Sequence, residues 1–426
     1  MSGTLSGPAA AAARDAPVAT GGAIPDVSIV IPSWNGRALL AECLPAIEAL
    51  AYPHEHLEVI VFDNGSRDDS VGWLHASWPA VRVVEHPENV GFAAACDRAA
   101  ALATGSVLAF LNNDLRVDPQ WLGHMTGALA GSGAAAAGSR ILDWDGTRYD
   151  FDAGTMNFYG HGAVPRHGRT VRAAAGETPR PTLFACGAAM VVDRAKFLAS
   201  GGFDPDYFAY FEDVDLGWRL WLEGERVLFV PGATAYHRHH GSGLDEARRT
   251  TLLERNALAS VFKNYDEENL ARVLPAALLL LAARARLAGG ARATLYHDTL
   301  ARFLDGLPAL RRKRDAVQAR RRRPDRDIVP LFGEPMRPSF FGRAYWREQV
   351  RVAEAFGIAT IAGMITGGTS DTGMNDFIEE LQGRIEELEA ERARLTAEVA
   401  RLRDELARQG RAAGGAKGGE CAKGSE

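Results

Sequence analysis

"SVLAFLNND", residues 106 to 114, is an apolar run that stops on two amides and an acid. A short apolar stretch bounded by polar residues is the pattern of a strand buried on both faces, as in parallel sheets covered by helices. "VSIVIP" (27 to 32), "LEVIVFD" (57 to 63) and "VRVVEH" (81 to 86) repeat the form. Helical patterns lie between them, so the first half reads as an α/β layered sheet, mostly parallel and flanked by helices. Ser66 with Asp69 resembles a capping box after the second strand, and Asp118-Pro119 reads as the N-cap and first residue of a later helix.

Ligands of open α/β sheets gather beyond the carboxyl ends of the strands. Here those ends carry "SWNG" (33 to 36), "DNGSRDD" (63 to 69), "ENVGF" (88 to 92) and "NND" (112 to 114). No GxGxxG follows the first strand and no GxxxxGK[ST] occurs, so neither a dinucleotide fold nor a P-loop ATPase is supported. The sheet offers its ligand acids and amides instead.

The composition excludes other classes. With 426 residues and 46% apolar content the chain has room for two or three domains and at least one large core. A net charge of -6 and a pI near 6.0 argue against a nucleic-acid binder. Cys43, Cys96, Cys186 and Cys421 form no CxxC or zinc spacing and read as reduced cytosolic thiols. Residues 1 to 24 lack the pattern of a secretory signal and read as a disordered Ala/Gly arm. "VLPAALLLLAARA" (273 to 285) is too short for a bilayer. A cytoplasmic protein is expected, with peripheral attachment to the inner face of the plasma membrane as an added option.

A second informative stretch is "FAYFEDVDLGWR", residues 208 to 219. From Glu212 onward Val214, Trp218, Trp221 and Leu222 mark the buried face of a helix. Acids in its first turn complement the helix N-terminus, and Asp215 and Arg219 are spaced for an i, i+4 ion pair. That explains Asp215. It does not explain why Glu212 and Asp213 follow the aromatic wall "DPDYFAYF".

The ordered set "VSIVIPSWNG", "VFDNGSRDDS", "ENVGFAAACDRA", "FLNND", "GAAMVVDRAKFLASGGFDPDYFAYFEDVDLGWR" and "YHRHHGSG" resembles glycosyltransferase family 2, the inverting GT-A enzymes, and most of all its rhamnosyltransferase-type branch. The resemblance runs from about Val27 to Gly243. It implies a GT-A fold over residues 25 to 245 and a donor pocket formed by Pro32, Asn35, Asp63, Asn89, Gly91, Asn112 and Asn113. It further implies Asp213 as catalytic base, with Glu212 orienting it or the acceptor. For Asp63 the competing reading is a turn made by Asn64-Gly65. "NND" stands where the family has Asp-x-Asp, so Asn112 leaves Asp114 as the remaining carboxylate ligand for Mg²⁺ or Mn²⁺. His237 corresponds to a third ligand, with His239 and His240 as competitors and a solvated basic loop as the alternative.

The implied reaction is a metal-dependent, inverting transfer of one sugar, rhamnose from a dTDP donor by branch resemblance, to a hydroxyl of a cell-envelope glycan or lipid-linked saccharide. No QxxRW motif occurs, which fits a non-processive enzyme. The alternative function is a catalytically impaired scaffold that binds sugar nucleotides and acts through a coiled coil. Residues 144 to 182 read as a mobile lid or an ordinary surface insertion.

The rest of the chain differs in composition. Residues 246 to 356 read as a helical extension whose basic segment, "LRRKRDAVQARRRRP" (310 to 324), serves either an anionic membrane or a solvated helix face. A flexible linker (357 to 375) leads to heptads over 376 to 409, with Ile378, Ile385, Arg392, Val399 and Leu406 at a and Leu381, Leu388, Leu395 and Leu402 at d. Such heptads favour a parallel homodimer, another coiled-coil partner being the alternative, and residues 410 to 426 read as a disordered tail.

Overall fold

A computed structural model describes residues 24–171, 177–239, 243–333, 338–358 and the single residue 401. The chain divides into a unit Met1–Ile361 and a unit Ala362–Glu426. Of the second, only Arg401 is described. The expected N-terminal arm up to residue 23, the linker beyond residue 358, the coiled coil apart from Arg401 with the dimer it implies, and the tail lie outside the described residues. So does His240.

The apolar runs become strands that alternate with helices. β1 (Val27–Ser33) pairs parallel with β2 (Leu57–Asn64) on one side and β4 (Val107–Leu111) on the other, and β2 pairs parallel with β3 (Arg82–His86). α1 (Arg37–Glu48), α2 (Ser70–Ser77) and α3 (Gly91–Leu102) supply the connections. This half is the parallel sheet that the sequence implies. The other half is mixed. After β5 (Leu115–Val117) and α4 (Trp121–Ser132) come β6 (Ala136–Asp143), β7 (Tyr149–Phe151), β8 (Thr155–Met156), β9 (Gly162–Ala163), β10 (Arg180–Pro181), β11 (Ala189–Asp193), α5 (Arg194–Ala199), α6 (Glu212–Leu222) and β12 (Val227–His237). The strand order is β10-β12-β6-β11-β4-β1-β2-β3, with β11 antiparallel to both β4 and β6.

Two helix starts differ from expectation. α2 begins at Ser70, because Asp68 Oδ1 takes the Ser70 N–H at 3.1 Å; the Asp69 N-cap accepts no such bond and Ser66 stays outside. α4 begins at Trp121, because the Asp118 N–H is tied to Thr234 O in β12 and its carbonyl closes a turn onto Trp121 N.

The region after β12 is helical: α7 (Glu246–Asn264), α8 (Glu267–Ala288), α9 (Gly290–Arg320) and α10 (Pro338–Ala355), the last broken at Gly342. Asp245 and Asp266 cap α7 and α8, accepting from Arg248 N and Asn269 N. α7 packs on both α6 and α9, so it is the layer between the sheet domain and the outer helices.

Most cations of the basic segment pair within the protein. Lys313 pairs with Asp204 and Asp206, Arg314 donates to the Phe262 and Tyr265 carbonyls, and Arg320 pairs with Glu223. Arg321 pairs with Asp325, and Arg323 donates to the Gly224 and Glu225 carbonyls while lying over the Trp221 ring. These cations dock α9 and the loop after it onto the sheet domain; Arg311, Arg312 and Arg322 remain exposed. Residues 144 to 182 are likewise no free lid in their described part. Asp152, Asn157, His161 and Thr182 are buried, and Thr155 Oγ1 donates to Leu331 O. Among the described residues no helix is long and apolar enough to cross a membrane.

Candidate active site

At the carboxyl ends of β1 and β2 the backbone turns outward around Asp63. Its Oδ2 accepts the Ser66 N–H at 3.1 Å, while Oδ1 is buried without a hydrogen-bond partner among the described residues. A buried carboxylate oxygen left unpaired costs roughly 1–3 kcal/mol, which a ligand donor would recover. Asn35, at φ +48°, shapes the same corner: its Oδ1 accepts Arg67 N at 2.7 Å and its N–H donates to Ser66 Oγ at 2.8 Å. Pro32 sits beside Phe62 in the β1–β2 ladder, one residue before the turn.

Asn89 and Gly91 do a different job. Asn89 Oδ1 accepts from Gly91 N and from Asn64 Nδ2, so that side chain holds its own turn against β2. Gly91 has φ +85°, and a Cβ there would lie 2.4 Å from Phe208 O. Glycine is thus required for the start of α3 to meet the segment before α6.

The loop after β4 joins these parts. Asn113 Nδ2 donates to Ser33 Oγ at 3.0 Å, which ties the loop to β1. Asn112 Oδ1 is buried without a partner among the described residues, and Asn112 N donates to Ala188 O at 2.9 Å. One residue earlier, Gly187 N donates to Asp213 Oδ2 at 2.9 Å. The short stretch Cys186–Ala188 therefore holds the acid at the start of α6 and the amide loop of β4 at once.

The three acids of α6 divide by environment. Asp215 is fully buried and accepts from Arg219 Nε at 2.8 Å, with Lys263 Nζ at 3.0 Å and Asn264 Nδ2 at 3.1 Å. Burial would raise its carboxyl, but the two cations outweigh that and hold it below the usual range. Glu212 is 6% exposed and its Oε2 has no partner among the described residues; burial, and then the neighbouring Asp213, push it well up. Asp213 is also raised by burial, but the Gly187 and Val214 N–H groups favour its charge. Of the pair, Asp213 is the carboxyl whose charged form the backbone favours, since it accepts both of these N–H groups.

The backbone before these acids is strained. Phe208, Tyr210 and Phe211 have φ of +63°, +70° and +67°, a region that costs an aromatic residue on the order of 1–3 kcal/mol. Asn256, fully buried in α7, keeps the segment there: its Nδ2 donates to the Tyr207, Ala209 and Tyr210 carbonyls at 3.1, 3.0 and 2.7 Å. Arg255 Nη2 adds bonds to the Asp206 and Tyr207 carbonyls. Asn256 was not legible as a site residue, although an amide on the buried face of "LLERNALASVF" is an available signal.

Asp114 and His237 meet because β5 and β12 are antiparallel with Leu115 opposite His237. His237 Nε2 is 3.2 Å from Asp114 Oδ2, and on its other side Nδ1 is 2.6 Å from Asp150 Oδ2. Burial alone would lower the imidazole, but the two carboxylates push it up to about 9. His239 Nε2 is 3.2 Å from Asp150 Oδ1, and Asp150, His237 and His239 group closely enough to hold an ion. The cation implied by the resemblance fits the donors Asp114, Asp150, His237 and His239, whose oxygen and imidazole atoms converge around the carboxyl end of β12. Asp150 went unnoticed in the sequence. Its signal is the alternation Tyr149-Asp150-Phe151, with both aromatics buried and the acid between them half-buried.

Residues 28–197 match the family model described as "Glycosyl transferase family 2". The chain is 30% identical over 228 residues to the O-antigen biosynthesis protein RfbC of Myxococcus xanthus, which covers 51% of this chain and only 18% of that one. Over 247 residues it is 29% identical to the N-acetylglucosaminyl-diphospho-decaprenol L-rhamnosyltransferase of Mycobacterium tuberculosis, covering 49% of this chain and 80% of the relative. The crystal structure of GalNAc-T7 with UDP, GalNAc and Mn²⁺ aligns with a TM-score of 0.50 at 18% identity, over 59% of this chain and 51% of that one. At that identity the likeness speaks for the fold.

Proposed function

The chain belongs to glycosyltransferase family 2 through a GT-A domain whose family match runs over residues 28–197, and on that premise we propose that it is an inverting, non-processive glycosyltransferase. The donor would be a nucleotide-diphosphate sugar and the acceptor a hydroxyl of a cell-envelope glycan or lipid-linked saccharide. The observation that carries this reading is the stretch Cys186–Ala188, which bonds Asp213 through Gly187 N and Asn112 through Ala188 O. It supports a single site in which a carboxylate and a diphosphate-facing loop are neighbours.

In this reading Asp213 accepts the proton of the acceptor hydroxyl while that oxygen bonds to the sugar C1 from the face opposite the nucleotide diphosphate. The C1–O bond to the diphosphate breaks and its electron pair leaves with the nucleotide. Glu212 keeps its proton and sets the base in place. Asp63, with its unpaired Oδ1, and Asn112, with its buried Oδ1, are the acceptor atoms available to the donor. Asp114 and His237 would hold the divalent cation, which when bound supplies Lewis-acid stabilisation of the departing diphosphate. An imidazole in the set fits Mn²⁺ better than Mg²⁺, which prefers oxygen alone. The relative named as an L-rhamnosyltransferase supports rhamnose and a lipid-linked diphosphate acceptor as the first substrates to try.

The test is a thermal-shift and calorimetric screen of purified protein with Mn²⁺ against dTDP-, UDP- and GDP-sugars, followed by nucleotide release in the presence of a lipid-linked saccharide. Binding of one nucleotide class with turnover is the expected result. Donor binding without turnover on any acceptor would favour the scaffold reading, and no binding of any donor would end both.

A further inference from the structure

Asn112 stands where a carboxylate is expected, and the chain has another carboxylate against the same cluster. Asp150 lies on β7, which pairs with β6, and β6 in turn lies beside β12, the strand that ends in His237. Its side chain is 13% exposed, with Oδ2 2.6 Å from His237 Nδ1 and Oδ1 3.2 Å from His239 Nε2. His167 Nδ1 lies 2.9 Å from the Asp150 carbonyl, on the same strand.

We propose that Asp150 is a positioning residue for the metal site: its carboxylate accepts the His237 Nδ1–H and so presents the Nε2 lone pair to the cation beside Asp114. The inference rests on the reading of Asp114 and His237 as ligands. A carboxylate behind a metal-binding imidazole fixes its tautomer and ring orientation and raises its basicity, and loss of such a partner costs about 10–100-fold in metal affinity. Here it would offset part of what the neutral Asn112 fails to supply.

The same side chains admit an opposite arrangement, with the cation among Asp150, His237 Nδ1 and His239. The two differ in which ring nitrogen of His237 is used. Placement favours the first. Asp114 directly follows Asn113, whose amide reaches Ser33 at the donor end of β1, so a cation on the Nε2 side lies toward the donor loop. On the Nδ1 side the carboxylate is enclosed by His237, His239 and His167.

The experiment is a Mn²⁺ titration of the full chain, read by the electron paramagnetic resonance of free Mn²⁺, with and without dTDP and UDP. Asp150→Asn keeps an oxygen for Nδ1–H and loses the charge, so its affinity should fall about 10-fold, and Asp150→Ala should approach 100-fold. His239→Ala should bind as the unmodified chain does, and His237→Ala should lose the ion. Wild-type-like binding by both Asp150 variants, with loss in His237→Ala, overturns this inference and leaves the ligand reading standing. Equal loss in His239→Ala and His237→Ala also overturns it, because the ion then sits on the Nδ1 side with Asp150 as a direct ligand. A wild-type chain that binds no Mn²⁺ under any of these conditions removes the ligand reading and the inference together. Should Asp150→Ala fail to fold, the Asp150→Asn and His239→Ala arms decide the matter.

Discussion

Two charged stretches of the chain, "EDVD" at 212 to 215 and "RRKRDAVQARRRR" at 311 to 323, meet opposite fates in the fold. In the acidic one a single residue, Asp215, is neutralised by Arg219 and Lys263, while among the described residues no cation pairs with Glu212 or Asp213. In the basic one Lys313, Arg314, Arg320, Arg321 and Arg323 all find acids or carbonyls inside the protein. Charge density alone does not separate a site from a dock. What separates them is whether partners of the other sign are brought to the charge, and charge left unpaired at burial is what a ligand or a proton must satisfy.

The sharpest way to break this comparison is at Asp213. Asp213→Asn should lower turnover by about 100- to 10,000-fold with donor affinity retained, which is the usual contribution of a general base. Glu212→Gln is a neutral copy of the protonated acid and should stay within about 10-fold of wild type. Steady-state rates and donor titrations of the two variants measure the asymmetry. Equal losses would mean that the proton is not held on Glu212.

The next effect concerns the strain before these acids. Asn256→Ala removes donors from three carbonyls of the segment 207 to 210, so the backbone relaxes and Asp213 shifts. A displacement of an ångström in a reacting group costs up to about 100-fold, and it should appear in kcat rather than in donor affinity. A variant with weakened donor binding and unchanged kcat would assign Asn256 to packing alone.

On the basic side the readout is stability. Arg314→Ala leaves the Phe262 and Tyr265 carbonyls without their charged donor at an 8% exposed position and should cost about 3 kcal/mol in urea unfolding. Arg311→Ala and Arg312→Ala, at exposed positions of the same helix, should stay within about 0.5 kcal/mol. If these two variants instead lost sedimentation with phosphatidylserine vesicles, the exposed end of the segment would regain a membrane role.

How much of this was legible follows from where the causes lie. The parallel half of the sheet could be read because Val27–Ser33, Leu57–Asn64 and Val107–Leu111 announce themselves by local apolar runs. The mixed half could not, since β11 enters antiparallel to β4 and β6, a matter of tertiary pairing that no local period encodes. Asp114, His237 and Asp213 were named from the family resemblance, and the fold brings Asp114 Oδ2 and His237 Nε2 to 3.2 Å. Asp150 was not, because its place beside His237 depends on β7 folding back along β6; the alternation in "YDFD" marks a strand without saying what its acids face. The destination of the basic block was hidden for the same reason: its partners, from Asp204 to Asp325, are set by docking rather than by spacing along the chain.

The smallest effect expected is on pH dependence, and it tests whether unpaired burial also governs an acid outside the site. Asp97 on α3 accepts the Phe203 N–H at 2.9 Å, and burial raises its carboxyl to about 7, with Arg219 too weakly coupled to reverse it. Its unfolded value is about 3.9, so between pH 4 and 7 the folded chain binds this proton more tightly than the unfolded one. The resulting stabilisation is fully present below about pH 4 and is lost as the pH rises through 7, damped where solvent reaches the carboxyl. Asp97→Asn keeps an oxygen for Phe203 N and removes the titration, so its melting temperature should fall less than that of the wild type between pH 4 and 7. Parallel melting curves for the two chains across that window would show that Asp97 is charged in the fold, and that burial without a cation does not suffice here to hold a proton.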